Sequence, residues 1–91
     1  MRTIKLLATL RDVAGTSRLD VPFDTGTVHD LTAAISRVSP ALAGEMLDDH
    51  GNLSGLVHIF VNGRNIEWLN GMDTVIEEGD SLTLIPPTAG G

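Results

Sequence analysis

The chain has 91 residues, twelve Asp and Glu residues against six Lys and Arg, and a formal net charge of −6 at pH 7. That length suits one domain with a single core, and the acidic balance argues against nucleic acid or an anionic membrane as a partner. It favours a partner with a basic docking surface. Cysteine is absent, which excludes disulfides, thiolate metal sites and thiol nucleophiles.

The first segment predicts a hairpin. Residues 4–10 alternate with strand periodicity, residues 12–16 have the composition of a turn, and residues 18–23 alternate again. The N-terminal residues lead directly into this alternation and lack a signal-peptide pattern. No apolar run approaches the roughly 20 residues that span a bilayer, so we expect a cytoplasmic protein.

Two helices are predicted next. Thr27 is a capping residue with Asp30 three positions on, and apolar residues follow at helical spacing as far as Val38. The Ser39-Pro40 pair ends this helix and predicts a short second helix with proline at its first position. Residues 48–52 then have the composition of a surface loop.

The second half predicts three strands. Residues 56–61 are rich in β-branched and aromatic side chains, and the Asn62-Gly63 pair is a strong hairpin signal before a short edge strand over residues 64–67. A last strand over residues 81–85 is stopped by Pro86-Pro87. The order predicts an α+β domain in which a mostly antiparallel sheet covers one main helix and one short helix.

The strongest chemical signal follows the last strand, in a tail over residues 86–91. Two prolines stiffen the exit from the sheet, and two glycines without Cβ atoms form a tip that fits a narrow channel. A carboxylate on such a tip can attack the α-phosphate of ATP in an activating enzyme. The resulting acyl-adenylate can be converted to a thiocarboxylate on Gly91, with Gly90 beside it. The tail residues are Pro86, Pro87, Thr88, Ala89, Gly90 and Gly91.

The chain resembles the MoaD/ThiS family of ubiquitin-like sulfur carriers along essentially its whole length. The resemblance is carried by residues 4–11, Gly15, residues 27–28, residues 60–63, residues 79–80 and residues 85–91. It implies a ubiquitin-like β-grasp fold, with a mixed sheet of about five strands in a single domain over residues 1–91. It also implies an ATP-dependent adenylyltransferase of the ubiquitin-activating type as partner, with covalent sulfur on Gly91 and no permanently bound cofactor.

Three uses of Gly91 follow from the resemblance and stay open. The first is sulfur donation as the small subunit of molybdopterin synthase, whose large subunit receives the tail. The second is sulfur carriage for cysteine biosynthesis or transfer-RNA thiolation, and the third is attachment to protein lysines. The long loop over residues 44–56 argues against the thiamin branch and is more similar to the cysteine-pathway carriers and archaeal modifiers. A fourth interpretation is a binding module with an irrelevant tail.

A docking face is predicted from the expected β-grasp arrangement. With the first, last and third strands at the sheet centre, Leu7, Phe60 and Ile85 lie side by side on the outer face near His58. Three large apolar side chains on a solvent face form an interaction patch. A register shift of one residue, or isolated exposed apolar residues, would remove it. Arg64, beside the hairpin turn, is a candidate rim contact.

No other constellation in the sequence indicates a site. The three histidines lack metal-ligand spacing, and we expect no metal site. Trp68 is expected to pack against the domain edge. Nothing in the chain activates a substrate without help, so we expect a subunit or co-substrate rather than a free-standing enzyme.

Overall fold

The main sheet has five strands in a computed structural model that describes residues 1–87. They are β1 (Arg2–Leu6), β2 (Arg18–Val21), β4 (His58–Val61), β5 (Arg64–Asn65) and β7 (Leu82–Ile85), and a second, two-stranded sheet joins β3 (Gly26–Thr27) to β6 (Val75–Ile76). The order in the main sheet is β2-β1-β7-β4-β5. Strand β1 is parallel to β7, and every other neighbouring pair is antiparallel. The predicted mixed β-grasp sheet, with the first, last and third strands at its centre, is confirmed.

The main helix, α2 (Val28–Val38), begins as the sequence predicts. The Thr27 hydroxyl accepts from the Asp30 amide at 3.3 Å, and the Asp30 carboxylate accepts from the Thr27 amide at 2.9 Å. This capping box satisfies two amides that the first helical turn leaves without partners. The hydrogen bond from the Thr27 backbone amide to the Asp30 carboxylate, followed by one that the Thr27 hydroxyl donates to it at 3.2 Å, holds the pKa of Asp30 below its ordinary value.

The short second helix is also confirmed, as α3 (Pro40–Met46). Proline stands at its first turn, where the missing N–H has no role, and the Ser39 hydroxyl accepts from the Leu42 amide at 3.3 Å. The buried side chains of both helices and the inner face of the sheet form one core. Its largest fully buried members are Ile4, Leu6, Val21, Val28, Leu31, Ile35, Leu42, Met46, Ile59, Ile66, Ile76 and Leu84.

The structure differs from the prediction between β1 and β2. A helix, α1 (Thr9–Ala14), replaces both the end of the predicted strand and the predicted turn. Ala8 has a φ of 52°, which turns the chain out of the sheet, and Gly15 ends the helix with a φ of 77°. Leu10, which lies within this helix, is buried in the core.

The remaining differences concern short elements. The strands β3 and β6 were not predicted, and neither were the 3₁₀ helices Ile66–Trp68 and Gly71–Asp73. The strand predicted over residues 56–61 begins at His58, and the edge strand is only two residues long. Within residues 1–87, no helix has the length and apolar character needed to cross a bilayer.

Candidate functional site

Residues 86 and 87, the described part of the tail, follow a strand in the middle of the sheet. Strand β7 lies between β1 and β4, with Ile85 facing His58 and with the Leu7 amide donating to the Leu84 carbonyl at 3.2 Å. Pro86 is half-buried and Pro87 is exposed. Hydrogen bonds on both sides of β7 therefore fix the point at which the chain departs. Thr88, Ala89, Gly90 and Gly91, the other predicted tail residues, lie outside the described residues.

The register of the three central strands determines where the residues of the predicted outer-face patch lie. Phe60 faces Thr83 across the β4–β7 pair, and His58 faces Ile85. Leu7 directly follows the Leu6–Leu84 pair at the end of β1, and its hydrogen bond to the Leu84 carbonyl keeps it beside Ile85. Their neighbours in each strand are buried against the helices, so these residues point to the other face. Leu7, Phe60, Ile85 and His58 are each half-buried. The register brings the three apolar side chains together beside the exit of the tail.

Arg64 lies on the opposite side of the sheet from this patch. It faces Val61, whose side chain is buried in the core, whereas Asn65 faces Phe60. Directly opposed residues of an antiparallel pair share a face. Arg64 lines an open groove of about 380 Å³ together with Leu69 and Val75. A rim contact by Arg64 stays a prediction, and the register places its strand position away from the patch.

A hydrogen-bonded turn network lies where β4 ends and the loop into β7 begins. Asn62 donates from its side-chain amide to the Asp80 carboxylate at 2.8 Å and accepts from the Ser81 amide at 2.9 Å. The same carboxylate accepts from the Glu77 amide at 2.8 Å. These hydrogen bonds, first that from Glu77, hold the pKa of Asp80 below its ordinary value. The network joins the turn between β4 and β5 to the residues just before β7, and so fixes the start of the strand that leads to the tail.

Arg2 holds the same loop from the other side. Its guanidinium donates to the backbone carbonyls of Asp80, Asp24 and Glu77, the last at 2.7 Å, and lies 5.8 Å from the ring centre of Phe23. Neither this contact nor the Asn62–Asp80 pairing was predicted. Both residues of that pair stand in recognisable turn signals, but a turn signal does not indicate which distant turn it contacts.

The other candidates of the sequence are not brought together. His29, His50 and His58 lie on a helix, in a loop and on a strand, and among residues 1–87 no three His, Asp or Glu side chains are grouped to hold a metal ion. The expectation that Trp68 packs on the domain edge is wrong, since 84% of it is exposed. It ends a 3₁₀ helix whose buried residue is Ile66, and this leaves the indole in solvent.

The chain is similar to known proteins along almost its whole length. A family model described as the ThiS family matches residues 4–91. Small archaeal modifier protein 3 of Haloferax volcanii is 34% identical over 92 residues, which cover 97% of this chain and 96% of that protein. Sulfur carrier protein CysO of Mycobacterium tuberculosis is 36% identical over 64 residues, covering 70% and 67% of the two chains.

A solved structure similar to this chain is of the same kind of protein as the sequence relatives. The crystal structure of SAMP1 from Haloferax volcanii superposes with a TM-score of 0.76 at 34% identity, over 98% of this chain and 97% of that one. The relatives are named as sulfur carriers and small modifiers, and the family match extends through the Gly-Gly of the tail. The chain therefore belongs to the ThiS family of ubiquitin-like sulfur carriers and modifiers.

Proposed function

We propose that this protein is a sulfur carrier whose Gly91 carboxylate is adenylated and then converted to a thiocarboxylate. The observation that carries the proposal is the course of the chain at β7. A strand held on both sides at the sheet centre ends in Pro86-Pro87, beside an apolar patch, and the family match continues to residue 91. An activating enzyme that binds the patch would find the tail at a fixed starting point.

The chemistry proceeds in balanced steps. The Gly91 carboxylate attacks the α-phosphorus of ATP, and pyrophosphate leaves to give the acyl-adenylate. The terminal sulfur of a persulfide on the activating system then attacks the acyl carbon, and AMP leaves. A thiol cleaves the remaining S–S bond, which releases the thiocarboxylate and a disulfide. All catalytic groups and the ATP belong to the adenylyltransferase of the ubiquitin-activating type, and this chain supplies the carboxyl group.

Three acceptors for the activated tail are candidates, and a different similarity supports each. The resemblance found in the sequence favours molybdopterin synthase, in which this chain would be the small subunit and its tail would enter the large one. Similarity to a carrier named CysO and to small archaeal modifiers supports a cysteine precursor or protein lysines as acceptors. All of these use the same activated Gly91.

The intact mass of the untagged protein tests the carrier role. Incubation with ATP, a sulfide source and the host's adenylyltransferase should exchange one oxygen for sulfur at Gly91. A variant that lacks Gly91 should show no exchange, although its folded domain is unchanged. No mass change, with an enzyme that is active on another carrier, would contradict the proposal.

A second measurement separates the acceptors. Co-purification of a lasting heterotetramer with a larger catalytic subunit supports the molybdopterin synthase role. A monomer that accumulates thiocarboxylate supports a carrier for another small acceptor. Isopeptide-linked conjugates in lysate, lost when Gly91 is deleted, support the modifier role.

A further inference from the structure

Charge is distributed unevenly between the sheet and the rest of the chain. Of twelve Asp and Glu residues, only Asp20 stands in a strand of the main sheet. Four of the six basic residues stand in those strands, and two of them, Lys5 and Arg18, lie on the outer face. That face therefore carries a local positive charge, although the chain as a whole is strongly acidic.

Lys5 and Arg18 lie opposite each other across the β1–β2 pair, and both are exposed. Their place on the outer face follows from the register, because the neighbouring Ile4–Leu19 pair is buried against the core. The one carboxylate of this face, on Asp20, accepts a hydrogen bond from the Thr3 hydroxyl at 2.5 Å.

The two cations border an open depression of about 380 Å³ on the outer face. Thr3, Ser81 and Thr83 add hydroxyl groups to its lining. Thr83 lies between Lys5 on β1 and Phe60 on β4, so the depression is continuous with the apolar patch. The outer face thus has an apolar half at the tail exit and a basic, hydroxyl-lined half beside it.

We infer that the activating enzyme docks on this face through a complementary surface, with an apolar centre and at least one Asp or Glu side chain that enters the Lys5–Arg18 depression. Charge complementarity carries the inference, since a carboxylate is the protein group that two adjacent cations fit. It rests on the proposed carrier function and names the chemistry of the partner's docking surface. It also reverses the expectation from net charge, because the sign at the contact differs from that of the chain.

Charge reversal on two faces of the same protein tests the inference. The test variant is Lys5→Glu with Arg18→Glu, and the matched control is Arg37→Glu on the exposed side of α2. The readout is the KM for this protein in ATP–pyrophosphate exchange catalysed by the host's adenylyltransferase, measured over a series of NaCl concentrations. We expect the double reversal to raise KM about tenfold with little change in kcat, and the control to change KM far less.

Whether KM rises or falls distinguishes an acidic from a basic docking surface on the activating enzyme. A basic surface, as net charge alone suggests, would give a lower KM for the double reversal and for Arg37→Glu alike, which would overturn the inference. An unchanged KM in the double reversal would also overturn it, while leaving the carrier function intact. No exchange with the wild-type protein would overturn both.

A second double variant, with neutral side chains at positions 5 and 18, controls for misfolding of the charge-reversed protein. Lys5→Gln with Arg18→Gln removes both positive charges and leaves a shorter, neutral polar side chain at each position. We expect it to raise KM by less than the reversal does and to flatten the dependence of KM on NaCl. A salt dependence equal to that of the wild type would contradict the inference.

Discussion

Asn62 combines a left-handed backbone with a side chain that both donates and accepts hydrogen bonds. Its φ is 52°, and its amide group bonds to both Asp80 and Ser81. Asn is among the few residues with a Cβ that occupy this region readily, because its short side chain bonds locally. Here that side chain also joins two turns that lie 18 residues apart.

We expect Asn62→Ala to lower the free energy of unfolding by about 1–2 kcal/mol, since it removes both side-chain hydrogen bonds and leaves an unfavourable φ. Urea unfolding measures this loss. The control exchanges the two partners: Asn62→Asp alone faces the Asp80 carboxylate and should destabilise, whereas adding Asp80→Asn restores a donor and an acceptor. A double variant no more stable than the Asn62→Asp single would contradict the pairing.

At the scale of elements, the cap of α2 depends on a glycine that precedes it. Gly26 has a φ of 144°, and a Cβ at this position would lie 2.7 Å from the Asp30 carboxylate oxygen. That oxygen accepts the hydrogen bond from the Thr27 amide. The glycine therefore leaves room for the capping box and allows β3 to pass directly into the helix.

We expect Gly26→Ala to destabilise the protein by about 1–3 kcal/mol, through backbone strain and loss of the cap. Gly44→Ala is the matched control, because Gly44 lies within α3 and a Cβ there meets no atom within 4 Å. In that helix the substitution should stabilise by about 0.5–1 kcal/mol. Thermal unfolding of the two variants should shift in opposite directions, and equal shifts would contradict the role of Gly26.

The sequence predicts the longer elements because their signals are local. The Thr27–Asp30 cap, Pro40 at a first turn and the Asn62-Gly63 turn each lie within a few residues of the structure that they specify. Strand β1 was predicted to run to Leu10 because no residue type signals the left-handed φ of Ala8. Strands of two residues, such as β6, are too short for any periodicity to appear.

The candidate site was predictable to the same extent. The sheet order implied by the resemblance places Leu7, Phe60 and Ile85 together, and the register agrees. The face on which Arg64 lies depends on one pairing, Val61 with Arg64, and that pairing is not evident from composition. The charge of the outer face depends in the same way on which strand residues point outward.

At the scale of the molecule, the outer face and the core use the same three central strands. Substitution on the outer face should therefore affect docking without removing core contacts. Phe60 is half-buried on this face, whereas Trp68 is 84% exposed on a 3₁₀ helix beyond the edge strand. The two aromatic side chains provide a test residue and a matched control.

We expect Phe60→Gln to raise the KM of the protein for its activating enzyme at least tenfold, roughly the loss of a hot-spot aromatic, with kcat little changed. Trp68→Gln should leave KM within about twofold, as expected of an exposed side chain outside the contact. Steady-state adenylation kinetics measure both values. An equal effect of the two substitutions would contradict docking through the outer face.

The parallel pairing of β1 with β7 makes completion of the fold a late event in synthesis. Residues 2–6 leave the ribosome before every other strand of the main sheet, yet the strand that joins them to β4 spans residues 82–85. Such long-range pairing is slow to form and cannot occur in a shorter nascent chain. Leu7 and Phe60 become neighbours of Ile85 only when this strand is in place. An enzyme that recognises their shared surface therefore meets it only on chains that already include residues 82–85.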